Sequence, residues 1–341
     1  MARIGINGFG RIGRTITRIN KLQSRFDFVA INDIDPYVDN MAYLLKYDST
    51  YGKFPGEVKN TEHEILIDGS SVKYFSQPAL HEADWGSLGV DLVIDSSGVA
   101  SNIESAKKLV AQNNSVKKVV VTCSSEITDK EIIMGINDNT IEESDHVVSN
   151  SICDANALAH VLKWVDDEYG IISGSITTLH PWLSYQNLVD GPAISQSRPG
   201  IVWKDFALGR ASSDSLIPKN TTAVSAVEKV LPRLKDKLMS FSYRVPTDIV
   251  SSSDITLNTS SHPTQEELKV FLKSKVKQSN YIRANHESLV SLDYEKEEVS
   301  AVLDMQWLQA RNGVMKLVLW YDNEWGYSAR TLDLAEALLE S

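Results

Sequence analysis

Cys153 and His180 are the two residues of this chain that together suggest a reaction, since a thiol paired with an imidazole can run nucleophilic catalysis. Cys153 stands where Val148-Ser-Asn-Ser-Ile-Cys-Asp-Ala-Asn156 passes from strand and turn into a helix. Unpaired N–H groups and the positive dipole end at a helix start lower a thiol's pKa. Position alone leaves a buried, inert cysteine as the alternative. His180 ends the strand Ser175-Ile-Thr-Thr-Leu-His180, which begins just after that helix, so a helix and its return strand can bring the two side chains together. The competing reading is a structural histidine. Cys123, at the end of an apolar strand, reads as a small core residue, and the remaining histidines show no metal-ligand spacing, so no metal is expected.

A second group of residues supplies the other half of a reaction. Gly8-x-Gly10-x-x-Gly13 follows the apolar strand Arg3-Ile-Gly-Ile-Asn7 and opens a helix with Ile12, Ile16 and Ile19 on one face. Gly8 allows a tight turn, Gly10 lets the backbone approach a pyrophosphate, and Gly13 lets helix and strand pack closely. The helix start offers free N–H groups to the phosphates. A second apolar strand, Phe28-Val-Ala-Ile-Asn32, ends in Asp33, 20 residues past Gly13. An acid there accepts hydrogen bonds from the adenosine ribose and repels a 2′-phosphate, which favours NAD over NADP. A glycine turn in an unrelated sheet is the competing reading. A nicotinamide cofactor and a nucleophilic thiol in one chain imply aldehyde oxidation: the thiolate adds to the aldehyde, hydride leaves the hemithioacetal, and a thioester remains for an acceptor to release. His180 would hold Cys153 as thiolate and take the hydroxyl proton.

These residues must be positioned by two kinds of domain. Strand and helix alternate through the first half: a helix around Val38 to Leu45, a hairpin over Glu64 to Phe75 with Asp68-Gly69 at its turn, a buried strand Asp91–Asp95, a helix Ile103–Gln112 and a buried strand Lys118–Thr122. That pattern predicts an α/β fold with a Rossmann-type dinucleotide-binding domain over 1–150. After Asn150 come one long helix, Cys153 to Tyr169, and strands at Gly170–His180, Leu238–Val245, Val250–Asn258, Val299–Trp307 and Met315–Tyr321. These predict an α+β catalytic domain, 151–323, with a mixed or antiparallel sheet. The segment Pro181–Leu208 has no clear periodicity, and a loop that long is usually functional. A last helix, 324–339, is expected to pack back on the first domain.

Composition limits the partners. The 341 residues are 42% hydrophobic and 23% charged, ordinary for a globular protein. A net charge of −11 with no run of Lys and Arg argues against nucleic acid. No apolar stretch reaches about 18 residues, so no membrane span is expected, and the N-terminus reads as the first strand with no room for a cleaved signal. Two cysteines exclude a disulfide framework and a four-cysteine zinc site, and a reducing, cytoplasmic setting is expected.

Further motifs extend these readings. Ile6-Asn-Gly-Phe-Gly-Arg-Ile-Gly-Arg14, Leu45-Lys-Tyr-Asp-Ser-Thr-Tyr-Gly-Lys-Phe54, Val148-Ser-Asn150, Tyr243-Arg-Val-Pro-Thr247 and Trp320-Tyr-Asp-Asn-Glu-Trp-Gly-Tyr-Ser328 stand in this order. With them the chain resembles the glyceraldehyde-3-phosphate dehydrogenases and erythrose-4-phosphate dehydrogenases over nearly its whole length. The resemblance implies that Arg11, Ile12 and Asp33 contact NAD, that Thr122 lies near the nicotinamide, and that Asn323 binds its carboxamide. It implies Cys153 as nucleophile, His180 as base, and a homotetramer acting on a small aldehyde.

Departures from the family cluster where it binds its two phosphate groups. Ile152-Cys-Asp-Ala-Asn-Ala157 replaces the usual Ser-Cys-Thr-Thr-Asn-Cys, removing both hydroxyls beside the nucleophile. Asn220-Thr-Thr222 replaces Ser-Thr-Gly and keeps only Thr221, while Leu183 replaces a threonine of the substrate-phosphate site and Arg244 persists. The loop after Asp190-Gly-Pro192, with Arg198, Trp203 and Lys204, is longer than the family's. Asp154 has two readings. Either it stabilises the first helical turn with its carboxylate in solvent, or it faces the thiol, disfavours an anionic acceptor and directs a water, a substrate hydroxyl or an amine. The expectation is an NAD-dependent aldehyde dehydrogenase working through a Cys153 thioester on an aldehyde other than glyceraldehyde 3-phosphate, with hydrolysis as an outcome. Phosphorylating glyceraldehyde-3-phosphate dehydrogenase is the alternative, and a catalytically weak NAD-binding homologue is the alternative of another class.

Overall fold

A computed structural model describes residues 1–112, 115–195 and 198–341. The chain divides into two compact units, one of Met1–Ile132, Asp138–Asn150 and Ser328–Ser341, the other of Ile133–Asn137 and Ser151–Tyr327.

In the first unit the elements run β1 (Arg3–Asn7), α1 (Arg11–Gln23), β2 (Asp27–Asn32), α2 (Val38–Lys46), the short β3 (Tyr47–Asp48) and β4 (Gly52–Lys53), β5 (Val58–Asn60), β6 (Glu64–Ile67), β7 (Ser70–Phe75), β8 (Leu92–Asp95), α3 (Asn102–Gln112), β9 (Lys118–Val121), β10 (Lys130–Glu131) and β11 (Val147–Ser149). Among the described residues nine strands form one sheet in the order β10-β11-β9-β8-β1-β2-β7-β6-β5. β1 pairs in parallel with both β2 and β8, β8 with β9, and β2 with β7, while β5, β6 and β7 form an antiparallel edge. Strands of a parallel sheet are covered on both faces, which is why Ile4, Ile6, Val93, Ile94, Val119 and Val120 are all fully buried. The order reverses at β1, where chain connections leave to opposite sides, and such a switch point is where doubly wound sheets bind dinucleotides.

The second unit runs α4 (Cys153–Tyr169), β12 (Ile171–Pro181), β13 (Ile217–Lys219), α5 (Ala223–Val230), β14 (Leu238–Val245), β15 (Ser251–Thr259), α6 (Gln265–Lys277), β16 (Ile282–Asn285), β17 (Ala301–Asp304), β18 (Gln309–Arg311) and β19 (Val314–Tyr321). Its sheet, β13-β14-β12-β15-β19-β17-β16 with β18 added beside β19, is mixed: β12 is parallel to β14 and antiparallel to β15, which is antiparallel to β19. One face is covered by α4, whose Ala155, Leu158, Val161, Leu162 and Val165 join Ile176, Ile255, Leu257, Leu317 and Leu319 in one core. A final helix, α7 (Trp325–Glu340), begins here, and residues 328–341 belong to the first unit.

The segment without sequence periodicity has local order of its own. Ile194 and Val202 form an antiparallel bridge, the Trp203 N–H donates to the Ala193 carbonyl, and the Trp203 ring meets Tyr185 edge-on at 5.3 Å. Gln196 and Ser197 of this loop lie outside the described residues.

Candidate active site

Each of the two units builds its own set of residues. The first is a glycine-rich cradle at the end of β1. Gly8 has φ +85°, and a Cβ there would lie 2.4 Å from the Ser97 Cα. A Cβ on Gly13 would lie 2.3 Å from the Gly8 carbonyl oxygen, so that turn and the first turn of α1 are in backbone contact. Gly10 has open space where a side chain would stand. It is also the residue before α1 and gives no side-chain cap, so Arg11 and Ile12 open the helix with N–H groups that no cap residue takes. The Arg11 guanidinium pairs with Asp48 at 2.5 Å over the Tyr51 ring. Asp33 accepts the Phe9 N–H at 2.6 Å through Oδ2 and the Asp35 N–H through Oδ1, which ties the tip of β2 to the glycine turn. Thr122 follows β9 and donates its hydroxyl to the Asp95 carbonyl.

Beneath the turn lies a ladder that sequence reading missed. Asn32 donates to Asn7 at 2.7 Å and Asn7 donates to the Asp95 carboxylate at 2.8 Å, all three buried at the ends of adjacent parallel strands. Burial raises the Asp95 pKa even though Asn7 and Ser97 donate to it. The cradle suits a dinucleotide: close backbone approach at Gly8, an open face at Gly10, uncapped N–H groups and an acid at the strand tip.

The second set is assembled on the sheet of the other unit. Parallel register pairs His180 of β12 with Arg244 of β14, antiparallel register pairs Leu179 with Ser252 of β15, and Ser251 pairs with Tyr321 of β19. His180, Arg244, Ser251 and Tyr321 therefore sit at one level across four strands. The backbone at this level is unusual: Val250, just before β15, has φ +71°, and Ser151, just before the start of α4, has φ +55°. A β-branched residue in the left-handed region is strained, and such strain persists only where surroundings enforce it.

α4 brings Cys153 and Asp154 onto this row. Cys153 Sγ, an Asp154 carboxylate oxygen and a His180 ring nitrogen lie within 4.8 Å of one another. Asp154 is only 4% exposed, so the solvent-facing reading of this residue is wrong. One of its oxygens, Oδ1, collects three donors: His180 Nε2 at 2.7 Å, the Tyr321 hydroxyl at 2.6 Å and the Cys153 thiol at 4.0 Å. The other ring nitrogen of His180, Nδ1, lies 2.8 Å from the Ser251 hydroxyl, and Tyr321 also meets the Ser253 hydroxyl at 3.2 Å. Burial alone would raise the Asp154 pKa, but the charge and hydrogen bond of His180, the Tyr321 hydroxyl and the charge of Arg244 together hold it below the usual carboxylate value. The thiol goes the other way: burial and then the Asp154 charge push the Cys153 pKa up, against a smaller opposing effect of Arg244. A thiolate stabilised by the helix start and by His180 is thus not what the geometry gives, because His180 is turned to Asp154 and the adjacent carboxylate disfavours a second negative charge.

The substrate candidates Arg244 and Thr221 and the cofactor candidate Asn323 belong to the same unit. Arg244, 8% exposed, donates through Nη1 to the Pro181 carbonyl at 3.2 Å and through Nη2 to the Tyr185 hydroxyl at 3.3 Å. Thr221 precedes α5 and accepts the Ala223 N–H at 3.2 Å. Asn323 is buried, and its Oδ1 has no hydrogen-bond partner among the described residues, an opening that suits the amide of a carboxamide ligand. Cys123 packs at the margin of the first unit's core. Ser251 has no neighbour in sequence that marks it, and Tyr321, although it stands in the Trp320–Ser328 motif, has no role that the motif alone reveals; strand register brings both to the site.

Comparison with known proteins covers both units. Residues 2–103 match the family described as glyceraldehyde 3-phosphate dehydrogenase, NAD binding domain, and residues 152–323 match glyceraldehyde 3-phosphate dehydrogenase, C-terminal domain. The chain is similar to glyceraldehyde-3-phosphate dehydrogenase 1 of Kluyveromyces lactis, 39% identical over 339 residues that cover 98% of this chain and 99% of the relative. It is also 37% identical to glyceraldehyde-3-phosphate dehydrogenase 2 of Saccharomyces cerevisiae over 341 residues (98% of each chain), and 38% identical to the cytosolic enzyme of Chlamydomonas reinhardtii over 344 residues (98% and 95%).

Proposed function

Because the chain belongs to the glyceraldehyde-3-phosphate dehydrogenase family of NAD-dependent oxidoreductases, we propose that it oxidises an aldehyde other than glyceraldehyde 3-phosphate through a Cys153 thioester and delivers the acyl group to water. The observation that carries this reading is the buried, charged Asp154 carboxylate beside the thiol and His180. Two unit charges about 6 Å apart at an effective dielectric near 20 repel by roughly 3 kcal/mol, and a dianionic phosphate suffers more. A helix start offers an anion about 0.3–1 kcal/mol, so repulsion wins and a neutral acceptor is favoured.

NAD, when bound, supplies the hydride acceptor. The chain's own residues do the rest. Cys153 Sγ forms a bond to the carbonyl carbon while its proton passes to the His180–Asp154 pair, and the Arg244 charge and the N–H groups at the start of α4 face the oxyanion. Loss of hydride from that carbon leaves the thioester. Once the first proton has left the His180–Asp154 pair for solvent, Asp154 takes a proton from a water whose oxygen bonds to the acyl carbon, and as the C–S bond breaks that proton passes to the departing sulfur and restores the thiol. Leu183, and an Arg244 already engaged by Pro181 and Tyr185, favour a substrate without the family's phosphate.

The names of the relatives favour a second reading, the phosphorylating oxidation of glyceraldehyde 3-phosphate. Mixing enzyme, NAD and a panel of aldehydes should give an NADH burst that Cys153→Ala abolishes, with steady-state turnover independent of phosphate and a free acid as product. A rate that rises with phosphate while acyl phosphate accumulates selects the second reading. No burst with any aldehyde favours a binding homologue. We further propose a cytoplasmic homotetramer, supported by two cysteines that form no disulfide, by a relative named as cytosolic, and by Leu188, Val189, Phe206 and Met239, large apolar side chains left exposed in the second unit. Among the described residues no helix is long and apolar enough to cross a membrane.

A further inference from the structure

We infer that Tyr185, braced by Trp203, determines substrate specificity: its hydroxyl stands on the part of Arg244 that an anionic tail would grip, and it selects an uncharged aldehyde whose tail carries a hydroxyl or carbonyl oxygen. This rests on the proposed aldehyde oxidation and names its substrate class.

Arg244 is a buried cation whose nitrogens are met by uncharged groups. Nη1 donates to the Pro181 carbonyl at 3.2 Å and Nη2 to the Tyr185 hydroxyl at 3.3 Å, while Nε is buried with no hydrogen-bond partner among the described residues. A guanidinium grips a phosphate or carboxylate through a fork of two N–H groups, either Nε with Nη2 or Nη1 with Nη2. Nη2 belongs to both forks, so a hydroxyl seated on it obstructs either grip. The charge of Arg244 is also engaged within the protein, where it helps to lower the Asp154 pKa.

Two elements hold Tyr185 in this place. The Gln186 N–H donates to the Leu183 carbonyl and the Gln186 side chain accepts the Leu183 N–H, both at 2.9 Å, which closes a turn around Tyr185. Trp203 then meets the Tyr185 ring edge-on at 5.3 Å with the planes 80° apart. The Trp203 N–H donates to the Ala193 carbonyl, and its ring packs against Ala193, Leu208 and Ile217. Ile217 of β13 stands opposite Arg244 of β14 in antiparallel register, so the strand pair that places the cation also places the brace. An anionic tail that reached Arg244 would have to break the edge-to-face contact together with the hydrogen bond.

Because the Tyr185 oxygen accepts from Arg244, its own hydrogen is left to donate. An uncharged oxygen on the substrate tail is satisfied by that one bond. A phosphate or carboxylate can take the same hydrogen, but a single neutral donor does not offset the loss of hydration around a charge.

The test uses Tyr185→Phe, which removes the hydroxyl and keeps the ring, with glyceraldehyde and glyceraldehyde 3-phosphate as a pair that differ in the charged group. Wild type should favour glyceraldehyde. In Tyr185→Phe the ratio of kcat/KM, phosphorylated over uncharged, should rise about tenfold, the effect of one charge-assisted hydrogen bond, chiefly through a lower KM for the phosphorylated aldehyde. Trp203→Leu keeps the hydroxyl but loosens it, and should move the ratio the same way by about threefold. A merely structural loss would lower the rates with both aldehydes and leave their ratio alone. An unchanged ratio in Tyr185→Phe overturns the inference, and so does a wild type that already prefers the phosphorylated aldehyde. Should Tyr185→Phe fail to fold, the ratio in Trp203→Leu decides. If wild type oxidises no aldehyde, the functional reading fails by itself, and calorimetric titration with glycerol 3-phosphate decides the role of Tyr185: Tyr185→Phe should bind it about tenfold more tightly than wild type, and equal affinity refutes that role.

Discussion

Asp154 and Cys153 are adjacent residues with opposite pH linkages. Asp154 has a folded-state pKa below its unfolded value of about 3.9, so it contributes stability that is present above that value and lost as pH falls through the folded one. Cys153 is raised above its unfolded value of about 8.5, so its contribution is present below that value and disappears as pH climbs toward the folded one. Urea midpoints measured across pH should therefore decline on both sides of neutrality. Asp154→Asn should flatten the acid limb and Cys153→Ala the alkaline limb; a Cys153→Ala profile that overlays wild type above pH 9 would contradict the assigned direction. At this scale the thiol, the imidazole and the acid were all legible as residue types. That the acid faces inward was not, because a first-turn Asp is equally at home capping a helix in solvent.

At the scale of elements, β1, the glycine turn and α1 form a unit whose sequence and geometry agree at each position. Apolar alternation makes the strand, Gly8 takes the left-handed turn, and Gly13 accepts the close approach of the turn's carbonyl. Gly13→Ala sets a methyl against backbone that cannot yield easily. We expect a destabilisation of about 1–3 kcal/mol, read as a lower melting temperature, together with a weaker NAD titration by fluorescence quenching. Unchanged affinity and melting would mean that the turn relaxes at little energy. β12, β15 and β19 show the limit of such local reading. Their alternation predicts strands, and the observed bounds lie close to those expected, yet alternation is silent on which residue of one strand stands beside which of the next.

Over the whole molecule, both units bury substantial cores while the second leaves Leu188, Val189, Phe206 and Met239 exposed, Phe206 at 86%. Large apolar side chains exposed in this way are covered when copies of a chain associate through them. Sedimentation velocity should show a species near four times the 37.9 kDa chain mass, and Phe206→Ser should shift the population toward smaller species; a wild-type monomer at micromolar concentration would refute the assembly proposal. The chain's order of motifs, its glycine spacing and its alternating patterns determined the cofactor, the two kinds of sheet and the family, because each is encoded by residues near one another in sequence. The row of His180, Ser251 and Tyr321, with Asp154 turned onto it, was decided only by tertiary structure. Register between strands depends on the packing of an entire face, and residues 26, 71 and 167 positions apart in pairs meet there without any local signal.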